Sequence, residues 1–229
     1  MTKQNSACTA VVVAAGTASR MQGIDKMLAP LGGEPLLWRT VCALERSERV
    51  DRIVIVARDD LAEHAKALFG DDERVCEILP GGATRAESVL RGLHCVKTPL
   101  VAIHDGARPL VTPEVIDAAI AAAERGGAAA PAIPVHDTIK IASDGVVTAT
   151  PDRRTLFAVQ TPQVFDTARI LAALTDALAR GLPLTDDCSA AEAAGMAVLL
   201  TAGSEENIKI TTPIDLTLAE AILKRREAT

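Results

Sequence analysis

Mainly apolar runs alternate with amphipathic segments along the first 135 residues of this 229-residue chain. A run without polar alternation predicts a strand covered on both faces, whereas apolar residues at helical spacing predict a helix. The predicted strands are 10–13, 52–57, 75–79, 100–104 and 129–135, and the predicted helices are 36–46, 61–69, 85–96 and 113–123. This alternation predicts an α/β fold with a single-domain, Rossmann-like, open, mainly parallel twisted sheet and helices on both faces.

The pattern changes after residue 135. Alternating segments at 138–142 and 146–150 flank Ser143-Asp144-Gly145, and Asp-Gly between two such segments predicts a β-hairpin. No predicted helix covers this hairpin, so we expect residues 136–155 to protrude as an arm from one domain of residues 1–229. Exposed strand edges favour pairing with another subunit, which gives the hypothesis that the arm forms a homodimer. The remaining predicted elements are a return to the core at 157–160, helices at 167–179, 186–194 and 214–226, and strands at 198–200 and 208–210.

Composition narrows the classes of function. Hydrophobic residues make up 48% of the chain, which is enough for a large core, while aromatic residues make up only 2%. Few aromatic side chains leave few stacking platforms for single-stranded nucleic acid, and a net charge of −6 disfavours a surface that binds a duplex. We therefore expect no nucleic-acid partner. An acidic protein can still bind an anionic ligand where several cations are concentrated in one cleft.

The five cysteines are far apart, and no pair has the C-x-x-C spacing of a zinc site or a redox dithiol. We interpret them as small apolar residues in a reducing compartment. The polar start of the chain does not resemble a signal peptide, and no apolar stretch has the length of a membrane span. The sequence therefore predicts a soluble, cytoplasmic chain with no membrane partner.

Small residues follow the first predicted strand. Ala14, Ala15 and Gly16 leave backbone N–H groups accessible, and Arg20 and Lys26 place two cations shortly afterwards. A loop of this kind at the carboxyl end of a parallel strand is typical of a nucleotide-phosphate site. It is neither a Walker P-loop nor a G-x-G-x-x-G fingerprint, and the alternative interpretation is that both cations are solvated loop charges.

Polar residues follow the ends of two further predicted strands. Gly82, Arg85 and Ser88 come after the third strand, and Asp105 and Arg108 come after the fourth. Because the carboxyl ends of parallel strands meet at one edge of a sheet, we expect these residues near the first loop. The alternative for Asp105 is a turn role before a glycine.

Seven segments together carry a resemblance over nearly the whole chain. They are Ala14-Ala15-Gly16 with Arg20-Met21 and Lys26, Pro80-Gly81-Gly82 with Arg85 and Ser88-Val89, His104-Asp105-Gly106-Ala107-Arg108-Pro109, Pro134-Val135 with Asp137-Thr138, Thr161-Pro162-Gln163, Thr185-Asp186-Asp187 with Ser189, and Asn207-Ile208-Lys209. In this order they resemble the 2-C-methyl-D-erythritol 4-phosphate cytidylyltransferase (IspD) family of the nucleotidyltransferase superfamily. The resemblance implies that CTP and 2-C-methyl-D-erythritol 4-phosphate give the CDP-alcohol and pyrophosphate with Mg²⁺, in non-mevalonate isoprenoid biosynthesis.

The resemblance also implies roles for individual residues. Arg20 and Lys26 would be catalytic and stabilise the transition state at the α-phosphate of CTP. The residues implied in nucleotide binding are Ala14, Ala15, Gly16, Gly82, Ser88 and Ala107. The residues implied in binding the acceptor substrate are Asp105, Thr138, Arg153, Thr185 and Lys209. The metal is expected on the phosphates of CTP with Asp105 as its candidate protein ligand, and Thr138 and Arg153 are expected to act in a neighbouring subunit.

This sequence departs from the family pattern at three positions. Ala18 stands where a second glycine is frequent, Met27 where glutamine often follows the lysine, and Ala83 where an acidic or polar residue often follows the double glycine. Two alternative enzymes are a ribitol-5-phosphate cytidylyltransferase, which shares the nucleotide half, and a general sugar-1-phosphate nucleotidylyltransferase, which usually has a longer glycine-rich loop. An alternative of another class is a nucleotide-binding regulatory protein without catalysis, which the retained cations argue against.

Overall fold

The computed structural model describes residues 7–16 and 26–228. The strands are β1 (Cys8–Ala14), β2 (Pro30–Leu31), β3 (Glu34–Pro35), β4 (Val50–Ala57), β5 (Val75–Pro80), β6 (Leu100–Asp105), β7 (Ala128–Pro134), β8 (Ile141–Ser143), β9 (Val146–Ala149), β10 (Phe157–Val159), β11 (Gln163–Asp166) and β12 (Leu199–Ala202). The helices are α1 (Leu36–Glu45), α2 (Asp59–Phe69), α3 (Arg85–Leu93), α4 (Pro113–Gly126), α5 (Thr167–Ala179), α6 (Asp187–Ala193) and α7 (Pro213–Glu227). None of the helices described combines the length and the apolar character that crossing a membrane requires.

One eight-stranded sheet organises the fold. Its strand order is β10-β7-β11-β6-β1-β4-β5, and β12 also pairs with β7. β1 runs parallel to β4 and β6, β5 runs parallel to β4, and β12 runs parallel to β7. Only the ladders of β10 and β11 within this sheet are antiparallel. The sheet is therefore mainly parallel, as the sequence predicts.

Alternate residues of the strands enter two separate cores, because successive side chains of a strand point to opposite faces. Val12 and Ile55 belong to one core together with α1, α2, α4 and α7. Val11 and Val54 belong to the other core together with α3, α5 and α6. Both faces are thus covered by helices, which explains the continuous apolar runs and confirms the predicted Rossmann-like fold class.

Three predictions for the second half of the chain need correction. The prediction missed β11, which pairs with both β6 and β7 inside the sheet. The predicted strand at 208–210 is wrong, because this segment is irregular. A hydrogen bond from the N–H group of Ile210 to the carbonyl of Ala107 holds it against the loop after β6. The return to the core at 157–160 is confirmed only in part, since β10 pairs with β7 but Phe157 and Val159 stay exposed.

The predicted hairpin forms and projects its side chains into solvent. β8 and β9 pair in antiparallel fashion, and the intervening Asp144 and Gly145 both have positive φ angles, as a tight two-residue hairpin turn requires. Residues 136–150 are all exposed, and the exposed fractions of Val146 and Val147 reach 67% and 55%. An arm with this much uncovered apolar surface is consistent with the hypothesis of a partner subunit.

Candidate active site

A cleft of about 270 Å³ opens at the carboxyl ends of β1, β5 and β6. The described residues that line it are Val13, Ala14, Ala15, Gly16, Lys26, Met27, Gly82, Ala83, Thr84, Arg85, Ser88, Asp105, Ala107 and Lys209. The prediction that the loops after these strands meet at one sheet edge is confirmed. The roles of the individual residues remain predictions.

The loop after β1 borders this cleft with small residues. Ala14 ends the strand, and Ala15 and Gly16 follow it into the cleft wall. Among the described residues, no atom lies within 4 Å of a Cβ atom added to Gly16, which leaves room there for a ligand. Arg20, the first predicted catalytic residue, lies outside the described residues, as Ala18 does. Lys26, the second, lines the cleft.

The double glycine after β5 is held against the first loop. A Cβ atom on Gly81 would collide with Cβ of Ala15, so a larger residue does not fit without a shift. The N–H group of Gly82 donates to Oγ of Ser88 at 3.0 Å, and that hydroxyl donates to the carbonyl of Thr84 at 2.9 Å. Ser88 thereby fixes the glycine turn at the start of α3, in the wall of the cleft.

Asp105 is the carboxylate at which three cations meet. Its Oδ2 lies 2.8 Å from Nζ of Lys209 and 3.7 Å from Nε of Arg108, and its Oδ1 lies 3.4 Å from Nη2 of Arg85. Burial alone would raise the pKa of Asp105, but attraction from Lys209, Arg85 and Arg108 outweighs it and lowers the pKa to about 2. Asp105 is therefore ionised at neutral pH and accepts hydrogen bonds without donating any.

A buried hydrogen-bond network fixes the backbone beneath Asp105. The N–H group of Asp105 donates to Oγ1 of Thr161 at 3.1 Å, and Thr161 Oγ1 lies 3.0 Å from Nδ1 of His104. The Nε2 atom of His104 lies 3.1 Å from the carbonyl oxygen of Arg108. Because a carbonyl only accepts, we assign the proton to Nε2, and Nδ1 accepts from Thr161. Burial lowers the pKa of His104 to about 4, so the ring is neutral at neutral pH.

Lys209 reaches the cleft because its segment is tied to the loop after β6. The N–H group of Ile210 donates to the carbonyl of Ala107 at 2.9 Å. Nη1 of Arg108 donates to the carbonyl of Asn207 at 2.5 Å, and Asn207 is fully buried. The irregular segment before α7 is thus fixed at both sides of Lys209, and its ammonium group extends into the cleft.

Arg85 connects the cleft to a carboxylate behind it. Its Nη1 and Nη2 atoms lie 3.0 Å and 2.8 Å from Oδ1 and Oδ2 of Asp187, the first residue of α6. Burial lowers the pKa of Arg85, but attraction from Asp187 and Asp105 outweighs it and raises the pKa overall. The sequence motifs contain both residues of this pair, yet they assign neither a role, since no local signal links two positions so far apart.

Three of the predicted acceptor residues do not line the described part of the cleft of their own chain. Thr138 and Arg153 belong to the exposed arm, where Nη1 of Arg153 donates to the carbonyl of His136 at 3.0 Å. Thr185 precedes α6, and its Oγ1 lies 2.8 Å from Oγ of Ser189. Of the five predicted acceptor residues, the structure brings only Asp105 and Lys209 into this cleft.

The donor set of the cleft determines what kind of metal site fits. Asp105 is the one carboxylate among the described residues that line it. Within residues 7–16 and 26–228, no group of three or more His, Cys, Asp or Glu side chains is placed to hold a metal. Mg²⁺ is commonly bound by one or two carboxylates together with substrate phosphates and water. These residues therefore fit a metal held mainly by the phosphates of a nucleotide.

Comparisons with known proteins agree with this geometry. The family model described as 2-C-methyl-D-erythritol 4-phosphate cytidylyltransferase (IspD) matches residues 8–225. A relative of that name from Desulforamulus reducens is 46% identical over 224 residues, which are 95% of this chain and 96% of the relative. The crystal structure of 4-diphosphocytidyl-2C-methyl-D-erythritol synthase from Anaerococcus prevotii has a TM-score of 0.87 and 30% identity, covering 96% of this chain and 99% of that chain. The cytidylyltransferase structure from Thermus thermophilus has a TM-score of 0.79 and 34% identity, with coverages of 93% and 98%.

Proposed function

The chain belongs to the family of 2-C-methyl-D-erythritol 4-phosphate cytidylyltransferases, and we propose that its reaction takes place in the cleft around Asp105. The enzyme transfers the cytidylyl group of CTP to 2-C-methyl-D-erythritol 4-phosphate. The products are 4-diphosphocytidyl-2-C-methyl-D-erythritol and pyrophosphate, in non-mevalonate isoprenoid biosynthesis. The observation that carries the proposed location is the meeting of Lys26, Asp105 and Lys209 at the carboxyl ends of parallel strands.

The chemistry asks for positioning and charge stabilisation. A phosphate oxygen of the acceptor attacks the α-phosphorus of CTP in line, and the bond to the departing pyrophosphate breaks. A phosphate monoester is already anionic near neutral pH, so the step needs no strong general base. Asp105 is ionised, and His104 is neutral with both ring nitrogens hydrogen-bonded, so the proposed step asks neither residue to transfer a proton. Lys26, together with Arg20, which lies outside the described residues, would stabilise the negative charge on the α-phosphate.

The nucleotide would lie along the small residues of the cleft. Backbone N–H groups of Ala14, Ala15 and Gly16 would hold the phosphates, since their own side chains are small and line the cleft. Gly82, Ser88 and Ala107 would surround cytosine and ribose. The close approach of Gly81 to Ala15 supports a shared nucleotide site, because it holds the loops after β1 and β5 at a fixed separation.

The acceptor phosphate would meet Lys209 at the other side of the cleft. In the free enzyme the ammonium group of Lys209 is paired with Asp105, and its side chain is 42% exposed. The ammonium group has three N–H donors, so a dianionic phosphate can accept from it while Asp105 holds it in place. Thr185, which precedes α6, would also contact the acceptor.

Divalent metal is part of this proposal. Mg²⁺ supplies charge neutralisation at the phosphates of CTP when it is bound. Asp105 is the side chain of the described cleft that could ligate it, and its low pKa keeps the carboxylate in the ligating form. The nucleotide-binding and acceptor-binding residues of the cleft would orient the two substrates.

A homodimer through the arm of residues 136–155 would complete the acceptor site. Thr138 and Arg153 belong to this arm and do not line the described part of their own cleft, which supports a role in the cleft of the partner. The exposed side chains of Ile141, Val146 and Val147 supply apolar surface for the contact. We also propose a cytoplasmic location, a reducing compartment in which the five free thiols would stay reduced.

The acceptor assay tests this function. We expect pyrophosphate release from CTP to depend on 2-C-methyl-D-erythritol 4-phosphate, measured by a coupled spectrophotometric reaction with Mg²⁺ present. Ribitol 5-phosphate, the acceptor of the alternative enzyme, serves as the matched substrate at the same concentrations. A higher kcat/KM for ribitol 5-phosphate would overturn the acceptor assignment, and no turnover with either would contradict the proposed function.

A further inference from the structure

A buried carboxylate behind the cleft has no part in the mechanism described above. Asp187 begins α6, and only 1% of its surface is exposed. Both of its oxygens bind the terminal nitrogens of Arg85, at 3.0 Å and 2.8 Å. A charge removed from water in this way is costly unless it is paired and hydrogen-bonded, so Asp187 and Arg85 depend on each other.

Arg85 faces two carboxylates, and the distances show which one holds it. Its contacts to Asp187 are short, whereas its Nε and Nη2 atoms both lie 3.4 Å from Oδ1 of Asp105. Because charge-assisted hydrogen bonds are short when they are strong, Asp187 fixes the guanidinium group. The short bond of Asp105, at 2.8 Å, therefore goes to Lys209.

The sheet fixes Asp187 in turn. Oε1 of Gln163 on β11 accepts the N–H groups of Asp187 and Cys188, each at 3.0 Å. Nε2 of the same Gln163 donates to Oδ2 of Asp186 at 2.8 Å, and Gln163 is buried. The first turn of α6 is thus held to a central strand, and Asp187 presents its carboxylate to Arg85 from a rigid support.

We propose that Asp187 is a positioning residue for the acceptor, because by holding Arg85 it keeps Asp105 paired with Lys209. This inference rests on the proposed function, in which Lys209 binds the acceptor phosphate. Without the carboxylate of Asp187, the guanidinium turns its terminal nitrogens to Asp105, since arginine prefers a bidentate pair with a carboxylate. Lys209 then loses its partner, and its ammonium group is no longer held at the edge of the cleft.

Asp187→Asn is the variant that tests this role, because it retains the side-chain size and removes the charge. We expect the KM for the acceptor to rise by about tenfold while the KM for CTP changes by less than about twofold. A merely structural loss would reduce the amount of active enzyme, which lowers the apparent kcat and leaves both KM values unchanged. Circular dichroism melts would set an assay temperature at which every variant is folded.

The double variant Arg85→Gln/Asp187→Asn keeps the test decisive if the single variant is unstable. It removes the competitor for Asp105 and leaves two neutral amide side chains in the buried site. We expect its acceptor KM to return to within about threefold of wild type, because Asp105 again pairs with Lys209. The control Asp176→Asn removes an exposed ion pair with Arg180 on α5 and should leave both KM values at the wild-type level.

Two results would overturn the positioning role: an unchanged acceptor KM in Asp187→Asn, or a double variant as impaired in acceptor KM as the single one. Wild-type enzyme assayed alongside separates this inference from the proposed function. An inactive wild type would contradict the proposed function, whereas an active wild type with either of these two results would contradict the positioning role alone.

Discussion

The Nζ atom of Lys209 lies 2.8 Å from Oδ2 of Asp105, and this ion pair closes the cleft on the side where the acceptor is proposed to bind. Asp105 ends β6, and Lys209 belongs to the irregular segment before α7. The side chain of Asp105 is only 10% exposed, whereas that of Lys209 is 42% exposed. An incoming phosphate can therefore reach the ammonium group while the carboxylate stays anchored.

Replacement of Lys209 should affect the acceptor more than the nucleotide. We expect Lys209→Ala to raise the KM for 2-C-methyl-D-erythritol 4-phosphate by about tenfold or more, because a charge-assisted bond to the phosphate is lost. The KM for CTP should change far less, which steady-state kinetics with each substrate varied in turn would measure. Lys224→Ala, an exposed lysine of α7, is the control. Equal KM values for the acceptor in wild type and Lys209→Ala would remove Lys209 from the proposed site.

His104 should make the stability of the fold sensitive to mild acid. Burial lowers its pKa from 6.5 to about 4, so the folded state favours the neutral ring. The unfolded state takes up a proton first as the pH falls, and the stability that is fully present above pH 6.5 is lost progressively towards pH 4. Asp105 does not contribute in this window, since its stabilising effect is lost only between about pH 4 and pH 2.

Urea denaturation at several pH values would check this sign. Between pH 7 and pH 4, the free energy of unfolding of wild type should fall by about 3 kcal/mol more than that of His104→Gln, because glutamine at position 104 does not titrate. His94→Gln, at an exposed position, should follow the wild-type curve. If the curves of wild type and His104→Gln ran parallel across this range, the buried neutral histidine would be refuted.

The arm predicts complementation between two chains that are each impaired at one residue. A heterodimer of Lys26→Ala and Arg153→Ala subunits, purified through two different tags, contains one site in which both residues are intact if Arg153 acts in the partner. We expect about half of the wild-type activity per dimer, because the other site lacks both groups.

The reciprocal heterodimer provides the control for this experiment. A wild-type subunit paired with a subunit that carries both Lys26→Ala and Arg153→Ala should have almost no activity if Arg153 acts in trans. Activity in this second heterodimer, together with an inactive first one, would show that Arg153 serves its own chain. A monomer in light scattering at micromolar concentration would rule out the arm as a dimer contact.

The first half of the fold could be predicted from the sequence because its signals are local. The runs at 52–57 and 100–104 are apolar apart from Arg52 and His104, and they become β4 and β6 within two residues, since strands covered on both faces leave this pattern. The rule that parallel strands end at one edge then brings the loops after β1, β5 and β6 together. The cleft itself follows from these two regularities.

The features that could not be predicted from the sequence depend on contacts between residues far apart in the chain. β11 has only four residues and follows a proline, so its place between β6 and β7 is decided by its partners rather than by its own periodicity. The segment 208–210, Ile-Lys-Ile, predicts a strand, yet tertiary hydrogen bonds of Asn207 and Ile210 hold it as an irregular segment. The pair of Arg85 and Asp187 joins two helices distant in the chain, and the motifs that contain these residues do not show that they touch.

The central claim is that the cations of this cleft stabilise the transfer of a cytidylyl group, and Lys26 tests it most directly. The measurement is the steady-state rate of pyrophosphate release from CTP, with 2-C-methyl-D-erythritol 4-phosphate and Mg²⁺ saturating, for wild type, Lys26→Ala and the exposed control Lys97→Ala. We predict that Lys26→Ala lowers kcat by about 10² or more, because charge at the α-phosphate loses its stabilising partner, while Lys97→Ala keeps the wild-type rate. A Lys26→Ala enzyme that turns over at the wild-type rate would contradict the account.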